Sequence, residues 1–253
     1  MTLSMTETPL LTEFADGLAT LTLNRPDQLN ALSPEVFQAL RIAVDEIAAR
    51  EDIGCVILQG AGRAFCSGFD LKSRERAKTV LPFGFAAATI TALSKLPQPV
   101  IAAVRGHCFT GGMELALAAD FIVAADTARF ADTHARWSMR AAWGLTQRLP
   151  RRVGGSLAKE LMFTGREFGA AEAVAIGLAV RCVPDADLES EVKTIAQSIL
   201  GRDQAVLRWI KDQVAIGFEL PLDEALEREI KHRPASRSQT DARLRESGWT
   251  KTD

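Results

Sequence analysis

The chain has 253 residues, 47% of them hydrophobic and 25% charged, with 30 Lys plus Arg against 32 Asp plus Glu. That length admits one sizeable core or a core with a small appendage, and the near-neutral balance argues against a nucleic-acid binder or a polybasic membrane-surface protein. Cys55, Cys66, Cys108 and Cys182 form no CxxC pair and have no histidine at ligand spacing, so they read as reduced thiols of a cytoplasmic protein and not as a metal site.

Residues 1–11 lack the basic patch and apolar run of a signal peptide, and no apolar stretch is long and charge-free enough to span a bilayer. Apolar runs at 10–14 and 18–23, split by Asp16-Gly17, predict a β-hairpin. Ser33-Pro34 supplies an N-cap and a first-turn proline, and Val36, Leu40, Val44 and Ile47 recur at helical spacing behind it. Residues 55–58 read as a buried strand closed by Gly60-Ala61-Gly62, and 83–93 as a helix carrying Phe83, Ala86, Ala87, Ile90 and Leu93 on one stripe. A second strand at 100–104 precedes a helix at 112–119 and a strand at 121–123. This alternation predicts an α/β protein with mostly parallel pairing. Beyond Gly154, helices are expected at 156–163, 170–176, 188–200, 204–216 and 222–231, with one strand at 178–183. The composition shift divides the chain into an α/β core, 1–185, and a helical region, 186–253. The polar stretch from Pro234 is expected on the surface or against another subunit.

Two glycine-bearing turns join strands to helices, at 62–71 and 106–115. Glycine lets backbone approach a ligand closely, and a helix start offers unpaired N–H groups with a partial positive charge. Two such turns side by side make an anion site; either alone reads more simply as an ordinary connection.

Taken together, the turns resemble the crotonase superfamily, which holds the enoyl-CoA hydratases and isomerases. The likeness is carried by Ala64-Phe65-Cys66-Ser67-Gly68-Phe69-Asp70-Leu71 and Gly111-Gly112-Met113-Glu114-Leu115-Ala116. It extends through Leu21-Thr22-Leu23-Asn24-Arg25-Pro26, Leu29-Asn30-Ala31-Leu32, residues 119–124 and 146–149, Thr164-Gly165, Ala173 and Gly177-Leu178. The resemblance implies a crotonase (ClpP/crotonase-like) α/β fold with a repeated ββα-type core, whose C-terminal helices build a homotrimer or hexamer. It implies an acyl-CoA thioester ligand, with CoA part of the substrate and no separate cofactor or metal. By matched position the thioester oxygen would be held by the N–H groups of Cys66 and Gly111. Gln28, Leu29, Ala64, Ser67, Gly68, Phe69, Asp70, Leu71 and Trp137 would line the substrate and CoA site. Asp70 also reads as the cap of the following helix, and a Cys66 nucleophile would need a base that the sequence does not identify.

Glu114 falls where the family's hydratases carry a catalytic glutamate. The second glutamate would fall twenty residues later, where this chain has His134. Histidine also exchanges protons near neutral pH, so a Glu–His pair is chemically competent; a loop histidine that only packs is the plainer alternative. Asp132 is a weaker substitute, its side chain expected to point elsewhere. Arg63, Lys72, Arg74, Arg76 and Lys78 flank the first turn and would meet CoA phosphates or form a solvated face. Arg140 and Trp143 are bulky where the family carries Gly or Pro, which bears on acyl-pocket depth. The leading expectation is water addition to a 2-enoyl-CoA through an oxyanion-stabilised enolate. The alternatives are a CoA-thioester or C–C hydrolase, decarboxylase or isomerase at the same site, and an acyl-CoA-binding protein of low activity.

Overall fold

The computed structural model describes residues 8–232 and Leu244. The segment from Pro234 otherwise lies outside the described residues. In chain order the elements are β1 (Leu10–Ala15), β2 (Leu18–Leu23), α1 (Pro34–Ala49), β3 (Cys55–Gly60), α2 (Arg74–Val80), α3 (Phe85–Ser94), β4 (Val100–Val104), β5 (His107–Phe109) and α4 (Gly111–Ala116). They continue with β6 (Phe121–Ala125), β7 (Arg129–Ala131), α5 (Leu145–Val153), α6 (Gly155–Thr164), β8 (Phe168–Gly169), α7 (Ala170–Ala175), β9 (Arg181–Val183), α8 (Leu188–Leu200), α9 (Gln204–Gly217) and α10 (Leu222–Lys231).

Six strands form one sheet in the order β1-β2-β3-β4-β6-β9, and β5-β7-β8 form a second. Only the β1–β2 hairpin is antiparallel in the large sheet, turning at Asp16-Gly17 where both residues take positive φ. At the centre of this sheet β4 is apolar on both faces and every one of its residues is buried, whereas β2 alternates buried with half-buried positions. α1 starts as its sequence predicts, with Ser33 Oγ accepting from Val36 N–H and Pro34 in the first turn, and it buries Val36, Phe37, Leu40, Val44 and Ile47.

The short second sheet was not visible in the sequence, and it fixes the site. β5 and β7 have three residues each and β8 two, too few for a periodic signal. They exist because they pair with one another: His107–Phe109 runs parallel to Arg129–Ala131. By backbone contacts the chain separates into two compact units, the first reaching Ile199 and the second beginning at Leu200. All but the last residue of α8 therefore lies with the α/β unit, where it buries Leu188, Val192 and Ala196. In the second unit α9 and α10 leave Ile210, Val214, Phe218, Leu222, Leu226 and Ile230 exposed.

Candidate active site

The first turn leaves β3 and is bound by two other segments, residues 29–32 and 107–109. The buried Asn30 side chain, 1% exposed, donates to the carbonyls of Ala61 and Ala64 at 2.9 and 2.7 Å. Ser67 N–H reaches Leu29 O at 2.9 Å, and Leu32 N–H reaches Gly68 O at 2.8 Å. Cys66 forms a parallel bridge with Cys108: its N–H donates to His107 O at 2.9 Å, and its carbonyl accepts from Phe109 N–H at 3.0 Å.

That bridge corrects the assignment of Cys66. Its amide is consumed inside the folded core and is not available to a substrate oxygen. The amide that is available belongs to Phe69. Gly68 adopts φ +106°, which turns the next N–H away from the local ladder. The neighbouring amides of Gly68 and Asp70 are occupied, by Cys66 Sγ at 3.4 Å and Leu32 O at 3.0 Å. Among the described residues, no acceptor meets the N–H of Phe69. The Cys66 thiol is fully buried, and burial pushes its pKa up to about 12, so it is no nucleophile at neutral pH.

The second turn frees its amide in a parallel way. Thr110 holds φ 54° and ψ −110°, an unusual conformation for a β-branched residue. It is pinned by its N–H on Ala131 O at 2.8 Å and by a hydroxyl contact with Thr133 Oγ1 at 2.7 Å. Gly111 follows as the first residue of α4, where an N–H has no partner within the helix. A Cβ built on Gly111 would lie 3.4 Å from the Phe69 nitrogen, and one built on Gly68 would lie 3.4 Å from the Gly111 nitrogen. The two free amides therefore border one small space. Of the two donors assigned from sequence, Gly111 stands at this space and Cys66 does not.

Glu114 sits one turn along α4, 1% exposed. Its Oε1 accepts from the N–H groups of Trp143 at 2.7 Å and Leu145 at 3.3 Å. Burial raises the Glu114 pKa above the ordinary glutamate value; the two backbone donors and His134 oppose that rise, and Asp132 adds to it. Arg148 fixes the donor segment by bonding Trp143 O at 2.7 Å and Ser94 Oγ at 3.3 Å. His134 Nε2 lies 3.9 Å from Glu114 Oε2, too far for a hydrogen bond, so neither reactive atom is spent on the other. On the far side of the ring, Nδ1 meets Asp132 Oδ1 at 2.6 Å. Asp132 does not point elsewhere. The chain leaves β7 at Ala131, and His134 takes helical angles that fold it back over Asp132.

Trp143 closes one wall. Its ring packs edge-on to Phe37 and Phe69 at centroid distances of 4.9 and 5.9 Å. A Cβ on Gly111 would approach its Cζ3 to 2.5 Å. Trp137, assigned to substrate from sequence, is 63% exposed on a single 3-10 turn. Leu29 and Ser67 meet through their backbones beneath the first turn, Ala64 is buried in it, and Gln28 and Leu71 lie exposed at its edge. Asp70 caps the turn that follows by accepting from Lys72 N–H at 3.1 Å, and it also holds Arg25 at 2.9 Å. Of the flanking cations, Arg76 pairs with Glu35 and Lys78 with Glu75. Among the described residues, no group of three or more His, Cys, Asp or Glu is placed to hold a metal ion, and no single helix is long and apolar enough to cross a membrane.

Residues 13–250 match the family model described as enoyl-CoA hydratase/isomerase. A probable enoyl-CoA hydratase of Mycobacterium tuberculosis is 37% identical over 90% of either chain. A crotonyl-CoA hydratase of Syntrophomonas wolfei is 33% identical over 86% of this chain and 85% of its own length. The crystal structure of an enoyl-CoA hydratase from Bacillus anthracis superposes with a TM-score of 0.84 at 35% identity, covering 88% of each chain. The α/β crotonase-type fold implied by the sequence is the fold of these neighbours.

Proposed function

The chain belongs to the enoyl-CoA hydratase/isomerase family and is a hydratase-like acyl-CoA-processing enzyme, and on that premise we propose that it adds water across a 2-enoyl-CoA thioester, with the carbonyl oxygen held by Phe69 N–H and Gly111 N–H. The observation that carries this reading is the convergence of two amides, acceptor-free among the described residues, beside the buried Glu114 and the half-buried His134. Water attack at C3 moves electrons onto the thioester oxygen. Donors already aimed at that oxygen need no reorganisation, and one such donor contributes about 3–4 kcal/mol to the transition state. The N-terminal end of α4 adds its dipole in the same direction.

Glu114 and His134 then carry one mobile proton between Oε2 and Nε2. The group that lacks it takes a proton from the attacking water, and the group that holds it delivers it to C2. The pair ends with one proton, now on the other member, and its return across the 3.9 Å between Nε2 and Oε2 restores the starting state, so no cofactor is invoked beyond the CoA of the substrate. The Trp143 indole stands against Gly111, where an acyl chain leaving the carbonyl would pass, which supports short acyl groups. The exposed apolar side chains of α9 and α10 support the reading of these helices as the contact surface of a homotrimer or hexamer; a monomer in analytical ultracentrifugation would remove it. The four cysteine thiols, three of them buried, support a cytoplasmic setting.

The test replaces single backbone N–H groups by ester oxygens through semisynthesis. At position 69 or 111 the ester should lower kcat for a short 2-enoyl-CoA by about 10²–10³-fold. At position 66 it removes only the bond to His107 O and should cost about 1 kcal/mol of stability with little change in kcat. An ester at 66 that abolishes turnover, with 69 tolerated, returns the oxygen site to Cys66.

A further inference from the structure

We propose that Asp132 is a positioning residue that locks the His134 ring with its proton on Nδ1, so that Nε2 is the only ring atom that trades protons at the reaction centre. The inference deepens the hydratase reading and rests on it for its kinetic consequence, but not for its structural content.

Three observations carry it. The Asp132 carboxylate is 3% exposed, and among the described residues both hydrogen bonds it accepts come from His134: the backbone N–H at 3.2 Å and the ring Nδ1 at 2.6 Å, both on Oδ1. A buried carboxylate that loses such a donor is left with uncompensated charge, so the arrangement strongly favours the tautomer with a proton on Nδ1. The second observation is backbone. His134 stands at φ −53°, ψ −48° directly beyond β7, and Thr133 N–H is tied to Thr110 Oγ1 at 3.3 Å. The ring thus swings from a segment fastened to the same Thr110 that frees the Gly111 amide. The third is the far nitrogen. Nε2 faces Glu114 Oε2 across 3.9 Å with no hydrogen bond between them. Glu114 is itself held from the opposite side by Trp143 and Leu145. Each member of the proton-exchanging pair is therefore oriented by partners on its non-reacting side. The carboxylate two residues before the histidine supplies the orientation that a second catalytic glutamate would not need.

The experiment uses the full chain labelled with ¹⁵N-histidine. Only three histidines are present, His107, His134 and His232, so a His134→Gln variant assigns the His134 ring signals by their loss. Above the imidazole titration range, the wild-type His134 ring should show a protonated Nδ1 and a bare Nε2. Asp132→Ala should move it toward the Nε2–H tautomer that an unheld imidazole prefers. In the same variant kcat for a short 2-enoyl-CoA should fall by between about 10- and 10³-fold with KM changed far less, and Asp132→Glu should recover part of the loss. A wild-type ring protonated on Nε2 overturns the proposal, and so does an Asp132→Ala ring that keeps Nδ1–H with undiminished kcat. If Asp132→Ala does not fold, the wild-type spectrum still decides. If no enoyl-CoA is hydrated, the activity reading fails while the ring spectrum still judges Asp132.

Discussion

The two turns at the site look alike in sequence, each a glycine-bearing link from strand to helix, yet they free an amide by different means. In the first, Gly68 at φ +106° rotates the Phe69 N–H out of a stretch in which the amides of residues 65–68 and of Asp70 are all bonded. In the second, a non-glycine residue does this work: Thr110 at φ 54° precedes Gly111, held by Ala131 O and Thr133 Oγ1. A positive-φ residue immediately before the donor is the shared device. The first turn reaches that state with no side chain to strain, the second by storing strain that hydrogen bonds oppose. The second turn also runs directly into α4 and so carries Glu114, whereas the first runs into a capped 3-10 turn and carries no group in the proton exchange.

This asymmetry sets the largest expected effect. Glu114→Ala removes the acid–base group of the second turn and should lower kcat by about 10²–10⁴-fold. It also leaves the Trp143 and Leu145 N–H groups without their acceptor, at a cost of about 1–3 kcal/mol of stability. Turnover that survives Glu114→Ala would show that the second turn contributes only its amide, making the two turns equivalent.

The next contrast separates free rotation from stored strain. Gly68→Ala places a Cβ at φ +106° and 3.1 Å from Phe109 O, so it should cost about 1–3 kcal/mol. By displacing the Phe69 amide it should also reduce kcat by about 100-fold. Thr110→Gly should behave oppositely. It relieves a strain of about 1–3 kcal/mol while losing both hydroxyl contacts with Thr133, each worth about 1 kcal/mol, so stability should stay within about 1 kcal/mol of the parent protein. Thr110→Ala keeps the strain and loses the same contacts, and it should be the less stable of the two by chemical denaturation. Equal destabilisation by Gly and Ala at 110 would show that the residue stores no strain.

Much of the frame was legible because burial writes itself into long runs. Residues 100–104 are all apolar and form β4, with every residue buried, and Ser33-Pro34 opens α1 as its capping chemistry requires. Resemblance to the family, by matched position, assigned Glu114 and Gly111, and both stand on the first turn of α4. It failed at Cys66 because the choice of spent amide is set by the register of one parallel bridge, Cys66 to Cys108, between segments more than forty residues apart. Nothing local distinguishes Cys66 from Phe69; the nearest signal was Gly68, whose freedom of φ is useful only to the residue after it. Asp132 ranked as the weaker candidate because it lies two residues from the matched position; its carboxylate meets the His134 ring because β7 ends at Ala131 and the chain turns back there. Trp143 lies far from either turn in sequence and reaches Gly111 only because α5 begins at Leu145 and Arg148 ties the preceding backbone to Ser94.

The smallest effect is a pH dependence that separates the buried carboxyl of the second turn from the solvated chemistry around the first. Burial is the leading cause of the raised Glu114 pKa, so the folded chain holds that proton more tightly than the unfolded chain, whose value is near 4.5. When the native state binds more protons than the unfolded state, stability falls as pH rises. The contribution is whole below the unfolded value, is lost as pH climbs from there through the raised folded value, and is flat above it. Glu114→Gln keeps an oxygen to accept from Trp143 and Leu145 but has nothing to titrate. The variant should therefore gain stability relative to the parent protein across that window, with no further change above it. Urea midpoints of the two proteins that run parallel from acid to neutral pH would mean that the two backbone donors and His134 cancel the burial penalty, and that Glu114 enters the reaction already ionised.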